Sequence, residues 1–251
     1  MAAVEIFALL QIKVLPPSDA GTNIHLLLRW LHIVSGIAWI GLLYYFNLVQ
    51  TPFLAALEPP VRAKVVPALL PEALAWFRGT AIGTVAAGLP YWVLFLRREP
   101  ADAPGLYLWA TLAEWTLAVV LVWLIHWFLL RLRFVAERGW LYGLTVAALV
   151  AAFAWYFWTH TVYDGMTNRA VSIGLGGGIG LFLLLNVLGI VGPAQARLIA
   201  WHQENPGAPP PPELRARLQQ AALVSRASFW LTLPLLLLMA AASHYPLFAA
   251  N

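Results

Sequence analysis

The chain has 251 residues, 61% hydrophobic and only 10% charged, with a formal net charge of +4 at pH 7. Together with 13 tryptophans and a mean hydropathy of +0.75, this excludes an ordinary water-soluble domain and a disordered one. The absence of cysteine removes covalent c-type haem, thiolate-held iron–sulfur clusters, cysteine zinc sites and disulfides.

Residues 1–15 contain Glu5 and no basic residue before Lys13, so they lack the positive start of a signal peptide. They are too short to span a bilayer. Ile6, Leu9, Leu10 and Lys13 recur at helical intervals, and we expect an interfacial helix ending at Pro16 and Pro17, within an N-terminal segment 1–23. Crossing a hydrocarbon layer of roughly 30 Å takes about 20 apolar residues. Six stretches qualify: residues 24–48, 80–96, 106–130, 141–158, 173–192 and 222–243. The expected fold is all-α, a polytopic transmembrane bundle of about six spans over residues 24–243, with the whole chain 1–251 forming one integral membrane domain.

The first span opens with His25 and carries His32 two turns deeper on the same face, about 10 Å along the axis. These two cannot ligate one iron together. Ser35 and Gly36, one turn inward of His32, leave room for a flat ring, and Trp39 continues the stripe. Arg29, one turn outward, is placed to pair with a propionate or to snorkel to phosphate headgroups. Glu114, in the third span, lies roughly as deep as His32. A carboxyl there would orient an imidazole, pair with Arg29 or relay protons, and the spacing does not choose among these.

His126 falls near the far end of the third span and His160 at the end of the fourth, while Asp164 and Arg169 belong to the following loop. The glycines at 174, 176, 177, 178 and 180 fit no G-x-G-x-x-G register and follow no strand. Gly174 with Gly178, and Gly176 with Gly180, form small-xxx-small pairs, which serve tight helix packing or a flat wall against a cofactor. Residues 205–212 are a Pro-rich linker, and residues 213–220 a polar helix leading into the last span. Pro234 lies inside that span, which ends at His244.

Basic residues order the loops. Arg62, Lys64, Arg78, Arg131, Arg133, Arg138, Arg197, Arg215, Arg217 and Arg226 lie on one side, against Lys13, Arg97, Arg98 and Arg169 on the other. The positive-inside rule then places both termini outside, in the periplasm of a bacterial inner membrane, with the linker cytoplasmic. The pI of about 9.6 reflects anionic lipid rather than nucleic acid. In this orientation His25, His32, His160 and His244 gather in the outer half. Neutral imidazoles from two helices are the usual ligands of a low-spin b haem, and His32 and His244 are the leading candidates for iron. His25, His160, Arg29 and Glu114 are further candidates around the cofactor.

The blocks RWLHIVSGIAWIGLLYYFN at residues 29–47, NV at 186–187, GPAQ at 192–195, LTLP at 231–234 and HYP at 244–246 resemble the membrane domain of bacterial membrane-bound urate oxidase. The resemblance implies a redox role. In that family the membrane domain precedes a c-type cytochrome domain, and the pair oxidises urate while passing electrons to the respiratory chain. A chain ending at Asn251 without cysteine would then use a separate acceptor, a periplasmic cytochrome c or other membrane subunits. Two departures stand out: Gly174 where the family carries a histidine, and Ala242 and Ser243 before His244 where it tends to carry Asn. Loss of a ligand at 174 would leave His160 or His25 as replacement. Three readings follow: a b-haem electron carrier, a cofactor-free scaffold subunit of a respiratory or photosynthetic complex, and an oxidoreductase acting on urate.

Overall fold

The computed structural model describes residues 17–97, 105–132, 137–162, 166–205 and 208–248. The expected interfacial helix at 1–15, with Lys13, lies outside them, as do Arg98, Arg133 and Asp164. Among the described residues eight α-helices run in order: α1 (Ala20–Tyr44), α2 (Thr51–Ala56), α3 (Pro59–Leu96), α4 (Gly105–Leu129), α5 (Gly139–Tyr156), α6 (Asn168–Asn186), α7 (Gly192–Glu204) and α8 (Pro212–His244). No strand occurs among the described residues. Three π-helical turns, Tyr45–Gln50, Phe157–Thr161 and Val187–Val191, join α1 to α2, extend α5 and join α6 to α7.

Among the described residues six continuous stretches are long and apolar enough to cross a membrane: Ala20–Ala56, Pro59–Leu96, Leu108–Leu129, Gly139–Thr161, Asn168–Glu204 and Pro212–His244. The protein is a polytopic helical membrane bundle. Its second and fifth spans are longer than hydropathy suggests, because α3 begins at Pro59 and the fifth stretch runs on to Glu204. The apolar stretches begin after Arg78 and stop at Gly192, whereas a helix ignores charge and ends only where its backbone hydrogen bonds do. The start of α8 shows the same effect, since the expected polar helix 213–220 and the last span are one element.

Two of the three π turns have a local cause. Pro52 and Pro193 lack the N–H that an α-helix needs, and each lies just beyond a widened turn that re-pairs the backbone at i to i+5. At the first of these the Thr51 hydroxyl also donates to the Phe46 carbonyl at 2.7 Å. In α8 the helix continues through Pro234, leaving the Trp230 carbonyl without its helical donor.

α6 is the centre of the bundle, with 61% of its apolar window buried, against 11% for α4. Glycine makes that position accessible. A Cβ at Gly174 would meet the Phe157 ring and, at 3.0 Å, Trp92, and one at Gly178 would meet the Phe153 ring. Aromatic side chains of α3, α5 and the π turn thus occupy the volume that side chains on this face of α6 would need. Trp92 and Trp115 lie 5.0 Å apart and donate to the α6 carbonyls of Ala170 (3.1 Å) and Gly174 (2.8 Å).

Candidate functional site

Small residues bring α1 against α3. A Cβ at Gly83 would lie 3.0 Å from the Ser35 hydroxyl, and Gly36 faces Thr84. The same seam seats His32. Its Nδ1 is 2.8 Å from the Thr84 carbonyl oxygen, and because a carbonyl only accepts, Nδ1 carries the proton and donates. The neutral ring therefore holds its lone pair on Nε2. A Cβ at Gly88 would stand 2.6 Å from Nδ1, so the ring occupies space that only glycine leaves free.

His32 lines an open-sided cavity of about 510 Å³ bordered by α1, α3, α4, α6 and α8, a volume typical of small-molecule and cofactor sites. Arg29, His244 and Ser243 belong to its polar lining, and Gly36, Gly88, Gly176, Gly177 and Gly180 make much of its wall. The rest is apolar or aromatic, including Trp39, Trp92 and Trp115. Trp39 is 3% exposed, yet its indole N–H has no hydrogen-bond partner. A buried, unpaired donor in a cavity wall is costly unless something in the cavity accepts from it.

The structure therefore brings Arg29, His32 and His244 together across a gap in the sequence of more than two hundred positions. It does not place His25, His160 or Glu114 on that lining. His25 is half-buried, edge-on to Tyr91 at 5.9 Å and Phe95 at 5.6 Å. His160 stacks on Tyr156 at 4.5 Å, with Nδ1 2.7 Å from the Thr159 hydroxyl, on an exposed helix end. Glu114 is exposed on α4, while its neighbour Trp115 is the residue turned inward. Arg169 lies over the Phe95 ring at 5.0 Å. Gly174, where a family ligand was expected, packs on aromatic rings and does not line the cavity. His126 is buried away from it, 2.8 Å from the Tyr142 hydroxyl and against Phe182.

The glycine run on α6 serves both purposes weighed from the sequence. Gly174 and Gly178 pack tightly, Gly177 and Gly180 form cavity wall, and Gly176 does both, since a Cβ there would lie 3.0 Å from Met239 and 3.2 Å from Leu238. Thr84 and Gly88 escaped the sequence reading. A signal was present in the cluster Gly83, Ala86, Ala87 and Gly88 on the second span, a stretch small enough for a neighbouring helix to press its side chains against.

Beyond the cavity lies a hydrogen-bonded layer on the side away from residues 17 and 248. The Trp123 indole donates to Asn186 Oδ1 at 3.1 Å, and Asn186 Nδ2 to the Ser228 hydroxyl at 3.3 Å. Tyr44 and Thr232 hydroxyls pair at 2.9 Å, and Asn47 Nδ2 donates to Ser225 at 3.0 Å. These bonds tie α1, α4, α6 and α8 together where hydrocarbon offers no alternative partner.

Fold and cavity define a class: a polytopic helical membrane protein with an intramembrane site that presents two imidazoles and a guanidinium among small and aromatic residues. The profile of the family described as urate oxidase N-terminal matches residues 57–251, and the chain belongs to that family. The matched span contains the blocks at 186–187, 192–195, 231–234 and 244–246 and begins after the block at 29–47. No curated protein and no solved structure matches the chain.

Proposed function

We propose that this protein is a membrane-embedded redox module in which His32 and His244 hold a b-type haem. The observation that carries the reading is the shared cavity: imidazoles from the first and last spans line one space of about 510 Å³. The donor chemistry suits the group, since Thr84 leaves His32 Nε2 with a free lone pair. Gly36, Gly88, Gly176, Gly177 and Gly180 keep the walls low, and Arg29 is available to a propionate. A bound haem supplies one-electron transfer. The residues' own work is to ligate, to orient, and to exclude water.

Membership of the urate oxidase N-terminal family supports a redox context. We place the chain in a bacterial inner membrane with both termini periplasmic, on the ten-to-four asymmetry of basic residues between its two faces. Electrons then pass to a cytochrome c or to the respiratory chain. The test is the oxidised and dithionite-reduced absorption spectrum of the purified protein with a pyridine haemochrome assay. A b-type spectrum that disappears in His32→Ala is the expected result. A featureless visible spectrum from protein with an intact helical signature overturns it.

A second reading has its own observation. Aromatic rings fill the space beside Gly174, where the resemblance led us to expect a ligand, and this favours a cofactor-free scaffold subunit of a membrane respiratory complex. The same spectrum decides between the two. Urate turnover with added cytochrome c tests the third, an oxidoreductase acting on urate.

A further inference from the structure

We propose that the lipid-facing side of α4 is an interface between two copies of this chain, centred on Glu114. The inference does not rest on the haem reading. Only 11% of the apolar window of α4 is buried within the chain, and about half of the residues from Leu108 to Leu129 are exposed. The inward face is marked by Trp115, which is 3% exposed and hydrogen-bonded to the Gly174 carbonyl at 2.8 Å. Glu114, about 100° round the helix from Trp115 at ~3.6 residues per turn, is exposed and lies about 9 Å along the span from Leu108 at ~1.5 Å per residue. Among the described residues it has neither hydrogen bond nor ion pair.

An ionisable side chain at that depth is expensive and is normally found turned toward protein. Hydrocarbon supplies neither donor nor acceptor, so the carboxyl needs another helix. In its protonated form it carries one donor and one acceptor. A two-fold related copy presents the same pair in reverse: each O–H donates to the facing C=O, and both groups are satisfied without a second residue type. Closed two-fold pairing is also the commonest way that identical chains associate.

The surroundings allow the close approach this needs. Ala110 and Ala113 are exposed beside Glu114 and add only methyl groups to the surface. On α5, which packs against α4, Gly143, Ala147 and Ala151 are exposed at four-residue spacing, the small-xxx-small pattern of membrane helix pairs. A Cβ at Gly143 would meet nothing within 4 Å, so that glycine is not needed for packing inside the chain.

The absence of native cysteine makes the test direct. Single variants Ala110→Cys and Ala113→Cys, oxidised in native membranes, are expected to give a disulfide-linked dimer on non-reducing gels, and Val34→Cys, exposed on α1 and outside the cavity lining, is not. Adding Glu114→Leu to Ala110→Cys should lower cross-linking about tenfold, the weight of one interhelical polar contact. Glu114→Gln, whose amide keeps a donor and an acceptor, should retain most of it. In lipid nanodiscs the wild type and Glu114→Gln should show twice the 27.7 kDa chain mass and Glu114→Leu once. Unchanged thermal unfolding of Glu114→Leu shows that the loss is of association and not of fold. The proposal is overturned by a single-chain mass for the wild type, by equal cross-linking with Glu114→Leu, or by cross-links that form only to a different membrane protein.

Discussion

On the side nearest residues 17 and 248, α1 and α8 face one another across a cavity of about 510 Å³ with Arg29, His32 and His244 in its lining. On the opposite side the same two helices are joined directly, Tyr44 to Thr232 at 2.9 Å and Asn47 to Ser225 at 3.0 Å. Asn186 extends that bonding to α4 and α6. The contrast shows how a bundle in lipid keeps an internal space. No hydrophobic force drives helices together there, so cohesion comes from close packing and interhelical hydrogen bonds. Here both are concentrated away from the cavity, and the open half is held in place by the closed one.

Overfilling the packed region breaks this arrangement most severely. Gly178→Leu drives a side chain into the Phe153 ring and should cost about 3 kcal/mol or more, seen as a large fall in the thermal unfolding midpoint in detergent. Removing the polar tie comes next. Asn186→Leu strands the Trp123 indole N–H and loosens Ser228, a loss of about 1–3 kcal/mol measurable by denaturant titration of tryptophan fluorescence.

A change on the cavity side should leave the fold nearly intact and act on the site. Gly88→Ala pushes His32 from its place against Thr84, offsetting the roughly 1 kcal/mol that alanine gains over glycine in a helix. With the proposed haem on His32, haem content falls while the melting curve barely moves. Gly79→Ala on the same helix meets nothing within 4 Å and should stabilise by up to about 1 kcal/mol with haem content unchanged. If both variants behave alike, Gly88 does not set the His32 position. The smallest effect belongs to His160→Ala, outside both regions, which should stay within about 0.5 kcal/mol of wild type with an unaltered visible spectrum.

Much of the fold was legible because a span needs only length and apolarity, properties that lie along the chain. Histidine depth was legible for the same reason, since each residue adds a fixed rise along its helix. Azimuth was not. His25 and His32 share a face of α1 and still part company, one packed on Tyr91 and Phe95, the other in the cavity lining. Glu114, expected about as deep as His32, is exposed about 100° round its own helix from the buried Trp115.

Composition and hydropathy alone determined that this is a multi-span helical membrane protein without thiol chemistry, and residue pattern alone pointed to His32 and His244. Tertiary structure decided which helices are neighbours, and with that which polar groups meet. Hydropathy records the cost of placing each residue in lipid. The pairing of spans depends on glycines such as Gly88 and Gly178 accepting particular side chains from other helices, a fit that no single segment encodes.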